Sequence, residues 1–290
     1  MRTLKNEERI TVRAPDGVTY AIVELLGENE NFRFYGVVSD TYPGQSMVLK
    51  IVVDKSKNGI LEHEAFLLSE MSDEAKCIDE EYAAKNDGKT LNYQIGFPKL
   101  IGSFVSPEQE DRRILILHLT MSDTLSNIVP INLIREVDNV RVDPKTSVWV
   151  LGKLLKIIAF AHDIVCTTVG NLDSENIFIV KDNHLVGIFD WSKAVIHASP
   201  ISEKTTRDEL RRAVRSVLLL LGGDIQTGAI PDHEQLEGEG IRYRELLKSL
   251  LMKDFERVYD AHRYFYEVVE QIWERKYHPY TTIPIENPKQ

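Results

Sequence analysis

Between Val169 and Ser192 the chain reads VGNLDSENIFIVKDNHLVGIFDWS. Two short apolar, β-rich runs, IFIV and LVGIF, flank the polar turn KDNH, a pattern that predicts a β-hairpin. A hairpin lays its two ends side by side. One end then carries Asn171 and Asn176, and the other carries Asp190. Any fold open to this chain must bring those two amides and that carboxylate to one place.

The sequence on either side differs in period. From Val18 the runs VTYAIVELLG, NFRFYGVVSD and SMVLKIVVD alternate and are rich in Val, Tyr and Phe, and FPKLIGSFV and RRILILHL follow later. These are five strand candidates separated by polar turns, most simply an antiparallel sheet. One helical stretch, LEHEAFLLSEM, interrupts them, and residues 72–94 read as its end and an exposed loop. The turn between the first two strands, Gly27 to Phe32, holds a single glycine and two glutamates. Lys50 lies inside an apolar strand, and helical spacing puts Glu64 inward beside Leu61, Leu68 and Met71. Glu62 takes its place if the helix is rotated.

Past a connecting segment, TMSDTLSNIVP, the chain turns helical. Asp143-Pro144 opens a long, nearly all-apolar helix, and Thr205 or Thr206 caps a later one that ends at Gly222-Gly223. His162, near the end of the long helix, reads as a core or capping residue, since no second metal ligand sits near it in sequence. Tyr264, Phe265, Val268, Val269 and Ile272 form an aromatic-aliphatic core stripe. The expected fold class is α+β: a five-stranded antiparallel N-terminal lobe with one helix, then a mainly helical C-terminal lobe. The boundaries run 1–17 for a flexible lead-in, 18–119 and 120–278 for the lobes, and 279–290 for an extended tail.

A formal net charge of −10 argues against general nucleic-acid binding. No apolar run reaches the length of a membrane span. Cys77 and Cys166 lie far apart without metal-ligand spacing, so they read as reduced, buried or half-buried thiols of a cytoplasmic or nuclear protein.

With these residues in view, the chain resembles the eukaryotic protein kinase superfamily over about residues 18–275, and within it the casein kinase 1 and vaccinia-related kinase group. The spacing Asn171-Leu172 to Asn176 is similar to the D-L-x-x-x-N part of H-R-D-L-x-x-x-N. GFPKLIGSFV through RRILILHLTMSDTLSNI, TTRDELRRAVRSVLLLLGG and RELLKSLLMKDFERVYDAHRYF resemble that group's strand-hinge segment, an S-R-R-D-D-L helix opening at Asp208, and the late helices. The resemblance implies a bilobal kinase-like fold with ATP and Mg2+ as cofactors. It places Gly27 in the loop over the phosphates, Lys50 and Glu64 in the phosphate grip, and Asn176 and Asp190 on the metal.

The departures weigh as much. H-R-D becomes Val169-Gly170-Asn171, so the proton-accepting aspartate is an amide. D-F-G becomes Asp190-Trp191-Ser192, the segment from Asp190 to Asp208 is short, and nothing in it resembles A-P-E. Gly170 and Asp190-Trp191 are similar to aminoglycoside- and choline-kinase-like phosphotransferases, which also need the missing aspartate. The resemblance therefore implies a pseudokinase, a regulatory module with a protein partner, in which ATP and Mg2+ bind weakly or not at all. The alternative is an active atypical protein kinase or small-molecule phosphotransferase that uses Asp173 or positioning alone.

Overall fold

The computed structural model describes residues 10–231 and 238–285. The chain divides into two compact units, Met1–Ile128 and Val129–Gln290.

Among the described residues, the first unit is a six-stranded antiparallel sheet with one long helix. Its strands are β1 (Thr11–Arg13), β2 (Thr19–Glu28), β3 (Phe32–Val38), β4 (Met47–Val52), β5 (Lys99–Ser106) and β6 (Arg112–His118), in the order β1-β2-β3-β4-β6-β5. The sheet has one strand more than the five expected. β1 falls within the lead-in read as flexible, where Val12 is buried opposite Tyr20; residues 1–9 lie outside the described residues. α1 (Asn58–Lys85) continues through residues read as a loop. That stretch is rich in helix formers, Lys76 reaches Glu80 one turn on, and Asp79 accepts the backbone N–H groups of Leu91 and Asn92. The extension leaves Cys77 on an exposed face rather than half-buried.

The second unit begins as β7 (Ile128–Pro130) passes into α2 (Ile131–Glu136) and β8 (Val140–Val142). α3 (Pro144–Asp163) is its central helix, buried on nearly every side, with the Asp143 carboxylate capping it through Thr146 N–H. Then come β9 (Thr167–Thr168), the expected hairpin β10 (Ile177–Val180) and β11 (Leu185–Ile188), and β12 (Val195–Ile196), which pairs with β9. α4 (Glu203–Leu220), α5 (Glu239–Met252) and α6 (Val258–Ile272) complete the helical layer. Ser202 caps α4 instead of Thr205 or Thr206, because its hydroxyl is the one that accepts Thr205 N–H. On α6, Phe265, Val269 and Ile272 are buried as the stripe predicts, while Tyr264 and Val268 lie at its margin. In the tail, β13 (Thr282–Pro284) pairs with β8, and residues 286–290 lie outside the described residues. No helix among the described residues is long and apolar enough to cross a membrane.

Candidate functional site

In the first unit Lys50 Nζ lies 2.6 Å from Glu64 Oε2, and both side chains are fully buried. Alternation along β4 turns Lys50 to the α1 face of the sheet, where Glu64 meets it from the inner side of α1. Glu62 faces away and reaches Arg113 from an exposed position. The ammonium also lies over the Phe32 ring, 4.3 Å from its centroid, with the Phe34 ring at 5.6 Å. Phe32 is itself buried, so the lysine head is enclosed by aromatic carbon as well as by its carboxylate.

The turn between β2 and β3 closes on itself. Gly27 lies inside β2, opposite Phe34 and next to a register shift, so the turn starts later than the sequence suggested. There the Asn29 side-chain oxygen accepts the backbone N–H groups of Asn31 (2.9 Å) and Phe32 (2.8 Å). Asn29 N–H in turn donates to the Phe32 carbonyl. These are the donors with which such a turn could cradle a phosphate, and a side-chain amide oxygen already holds them.

In the second unit the hairpin brings Asn171, Asn176 and Asp190 together as its sequence requires, and all three are buried. Asn176 joins its two ends. The Nδ2 group donates to the carbonyls of Asn171 (2.9 Å) and Asp190 (3.0 Å), and Oδ1 accepts Asp190 N–H at 2.6 Å. Asn171 Oδ1 accepts Asp173 N–H, and Asp190 Oδ1 accepts Ser192 N–H. Trp191 is wholly buried and donates its indole N–H to the Ile188 carbonyl, which pins the chain just after Asp190. The side chain of Asp173 is exposed, whereas Asn171 is buried. Among the described residues, no group of three or more His, Cys, Asp and Glu could hold a metal ion.

α4 holds this loop through residues that the sequence reading passed over. Glu209 is buried, and its two oxygens accept Gly170 N–H at 2.6 Å, Val169 N–H at 3.0 Å and His162 Nε2 at 2.6 Å. One and two turns on, Arg212 donates to the Gly170 carbonyl and Ser216 to the Leu172 carbonyl. His162 is thus a buried structural partner. Asp208, singled out from the helix opening, is exposed, and its neighbour does the bracing. One signal was readable: Glu209 falls on the inward stripe with Thr206, Leu210 and Ala213, a carboxylate where only a satisfied one is tolerated.

Gly170 is required where it stands. Its φ is +76°, and a β-carbon there would sit 2.1 Å from the Lys193 carbonyl oxygen. We expect Gly170→Ala to lower stability by about 2–4 kcal/mol through backbone strain and that clash, measured by chemical denaturation.

No protein family matches the chain by its sequence, and no curated protein matches it. Solved structures do. The structure of vaccinia related kinase 3 is 11% identical, covers 93% of this chain and 94% of its own, and superposes with a TM-score of 0.60. The BubR1 kinase domain is 10% identical, with coverages of 93% and 89% and a TM-score of 0.58. The Mycobacterium tuberculosis PknI kinase domain is 10% identical, with coverages of 88% and 96% and a TM-score of 0.52. The chain has the protein-kinase fold.

β4 and α1 supply the lysine-glutamate pair, the β10/β11 hairpin separates Asn171 from Asp190, and α4 braces the loop that carries Asn171. The kinase fold is thus built from the chain's own packing: a sheet backed by α1, and a second unit centred on α3.

Proposed function

We propose that this chain is a pseudokinase, a kinase-fold module that regulates by binding a protein partner and not by transferring phosphate. The observation that carries the reading is the chemistry of Asn171. Its amide, buried at the position a kinase gives to the proton-accepting aspartate, already accepts Asp173 N–H at 3.2 Å. An amide cannot take a proton from an attacking hydroxyl, so general-base assistance of about 10²–10⁴ in rate is lost. Asp173, two residues on and exposed, is the base that the competing reading would have to use.

Further observations favour weak or absent binding of ATP and Mg2+. Asn29 holds the N–H groups of the turn that would face phosphate, beside Glu28 and Glu30. Lys50 Nζ is packed over the ring of the buried Phe32. Asn176 commits both amide hydrogens and an oxygen lone pair to the backbone at the hairpin's ends. These residues fit Mg-ATP poorly. The competing reading, an active kinase or small-molecule phosphotransferase, draws on the intact Lys50–Glu64 pair and on Asp190.

Thermal unfolding with millimolar ATP, with and without Mg2+, tests whether a nucleotide pocket is retained, and phosphate transfer compared between the natural chain and Asp190→Ala separates the two readings. Weak or absent binding predicts little or no Mg2+-dependent rise in Tm. Ligand at a hundred times its Kd adds about 2.7 kcal/mol, so a rise of several degrees would mean that nucleotide is held well.

A further inference from the structure

The face of the first unit's sheet opposite Lys50 carries a second feature. Leu49 and Ile51 flank Lys50 along β4 and so project the other way. Together with Val12, Ile22, Leu25 and Tyr35 they line a groove of about 420 Å³. That volume lies within the range of small-molecule sites, which are mostly apolar with a few polar groups. Its floor belongs to the packed core, whereas Leu25 is 52% exposed and Ile10, at the edge, 57%.

The charged groups of this groove are of one sign. Arg33 and Arg112 line it with Gln109, and no carboxylate among the described residues does, although the whole chain has a net charge of −10. Strand register sets Arg33 directly across from Ile51, which in turn faces Ile114, and Arg112 follows on the same face of β6. Both guanidinium groups therefore stand toward one end of the apolar floor. Arg112 is oriented by the Gln109 carbonyl (2.8 Å) and by the Gln109 side chain (3.0 Å). Arg33 meets Glu28, at 3.3 Å, in a contact exposed on both sides. Such a pair is worth little in water and yields readily to a better-placed anion.

We propose that this groove binds a single-chain amphiphile with an anionic head, namely a free long-chain carboxylate. The alkyl chain lies on the aliphatic floor, and the carboxylate is held by Arg33 and Arg112. Guanidinium groups suit a carboxylate because they offer paired donors in one plane. The site is on the sheet face turned away from the Lys50–Glu64 pair, so occupancy does not depend on nucleotide binding and does not rest on the pseudokinase reading.

The test is calorimetric titration of the full chain with dodecanoate below its micelle concentration, alongside dodecyltrimethylammonium, which has the same tail and a cationic head. We expect saturable one-to-one binding of dodecanoate and binding of the cationic analogue weaker by about tenfold or more. The double variant R33A/R112A should lose a similar factor. L25E, a change at an exposed position, should abolish binding while thermal unfolding shows an intact fold. Equal binding of both amphiphiles, or dodecanoate binding unchanged in R33A/R112A and in L25E, would overturn the proposal. So would binding that appears only in a chain starting at Ile10, which would give the groove to the N-terminal residues. Self-association of the chain that dodecanoate does not relieve would assign it to a second copy.

Discussion

Replacing Glu209 by alanine should destabilise the protein by about 3–5 kcal/mol, the cost of leaving several buried donors without their acceptor. Two backbone N–H groups, at Val169 and Gly170, and the His162 ring would lose their shared acceptor in the protein interior. In a unit of this size the loss should appear as a fall in Tm of roughly 10 °C. Glu209→Gln should cost less. It keeps one carbonyl oxygen for an N–H group but turns an NH2 toward a donor. Hydrogen exchange gives the local readout: the amides of Val169 and Gly170 should lose protection in Glu209→Ala before the rest of α4 does. A loss below about 1 kcal/mol would mean that the loop is held by its own turns.

The second large effect is expected at Lys50. Lys50→Met alone leaves the Glu64 carboxylate buried without its cation, at a cost of about 3–5 kcal/mol. The double variant Lys50→Met, Glu64→Leu should recover most of that stability, since apolar side chains of similar volume commonly replace a buried ion pair without loss. A phosphotransferase would be inactivated by either change. A binding module should keep its fold in the double variant, and with it any partner contact that does not involve the pair. Denaturant titration of the three proteins checks this. A single variant as stable as the parent would show that the 2.6 Å pair is not the buried contact described.

Much of this arrangement was legible in the sequence, for reasons that differ by region. The hairpin could be read because two β-rich runs flanked a polar turn, and pairing then fixed the meeting of Asn171, Asn176 and Asp190. The Lys50–Glu64 pair could be read because strand alternation and helical period each point a side chain in a known direction. What escaped had little period to announce it. β1 is three residues long, too short for alternation to stand out. α1 overran its expected end because its largely polar second half carries a helix by propensity and charge pairing, with only the thin stripe Ala75, Ile78 and Tyr82 to mark it. Asn29 acts by folding its side chain onto the turn that follows it, which depends on backbone angles that the sequence does not display. Glu209 was passed over in favour of Asp208, because adjacent acids look alike until the helix phase decides which one faces the loop.

The measurement that bears most directly on the account is transfer of radiolabelled phosphate from ATP, with Mg2+ or Mn2+, to the chain itself, to protein acceptors and to small hydroxyl compounds, comparing the natural chain with Asp190→Ala. With a buried amide at Asn171, the two proteins should give the same background. Turnover at the rate usual for kinases, about 1–100 per second, lost in Asp190→Ala, would contradict it.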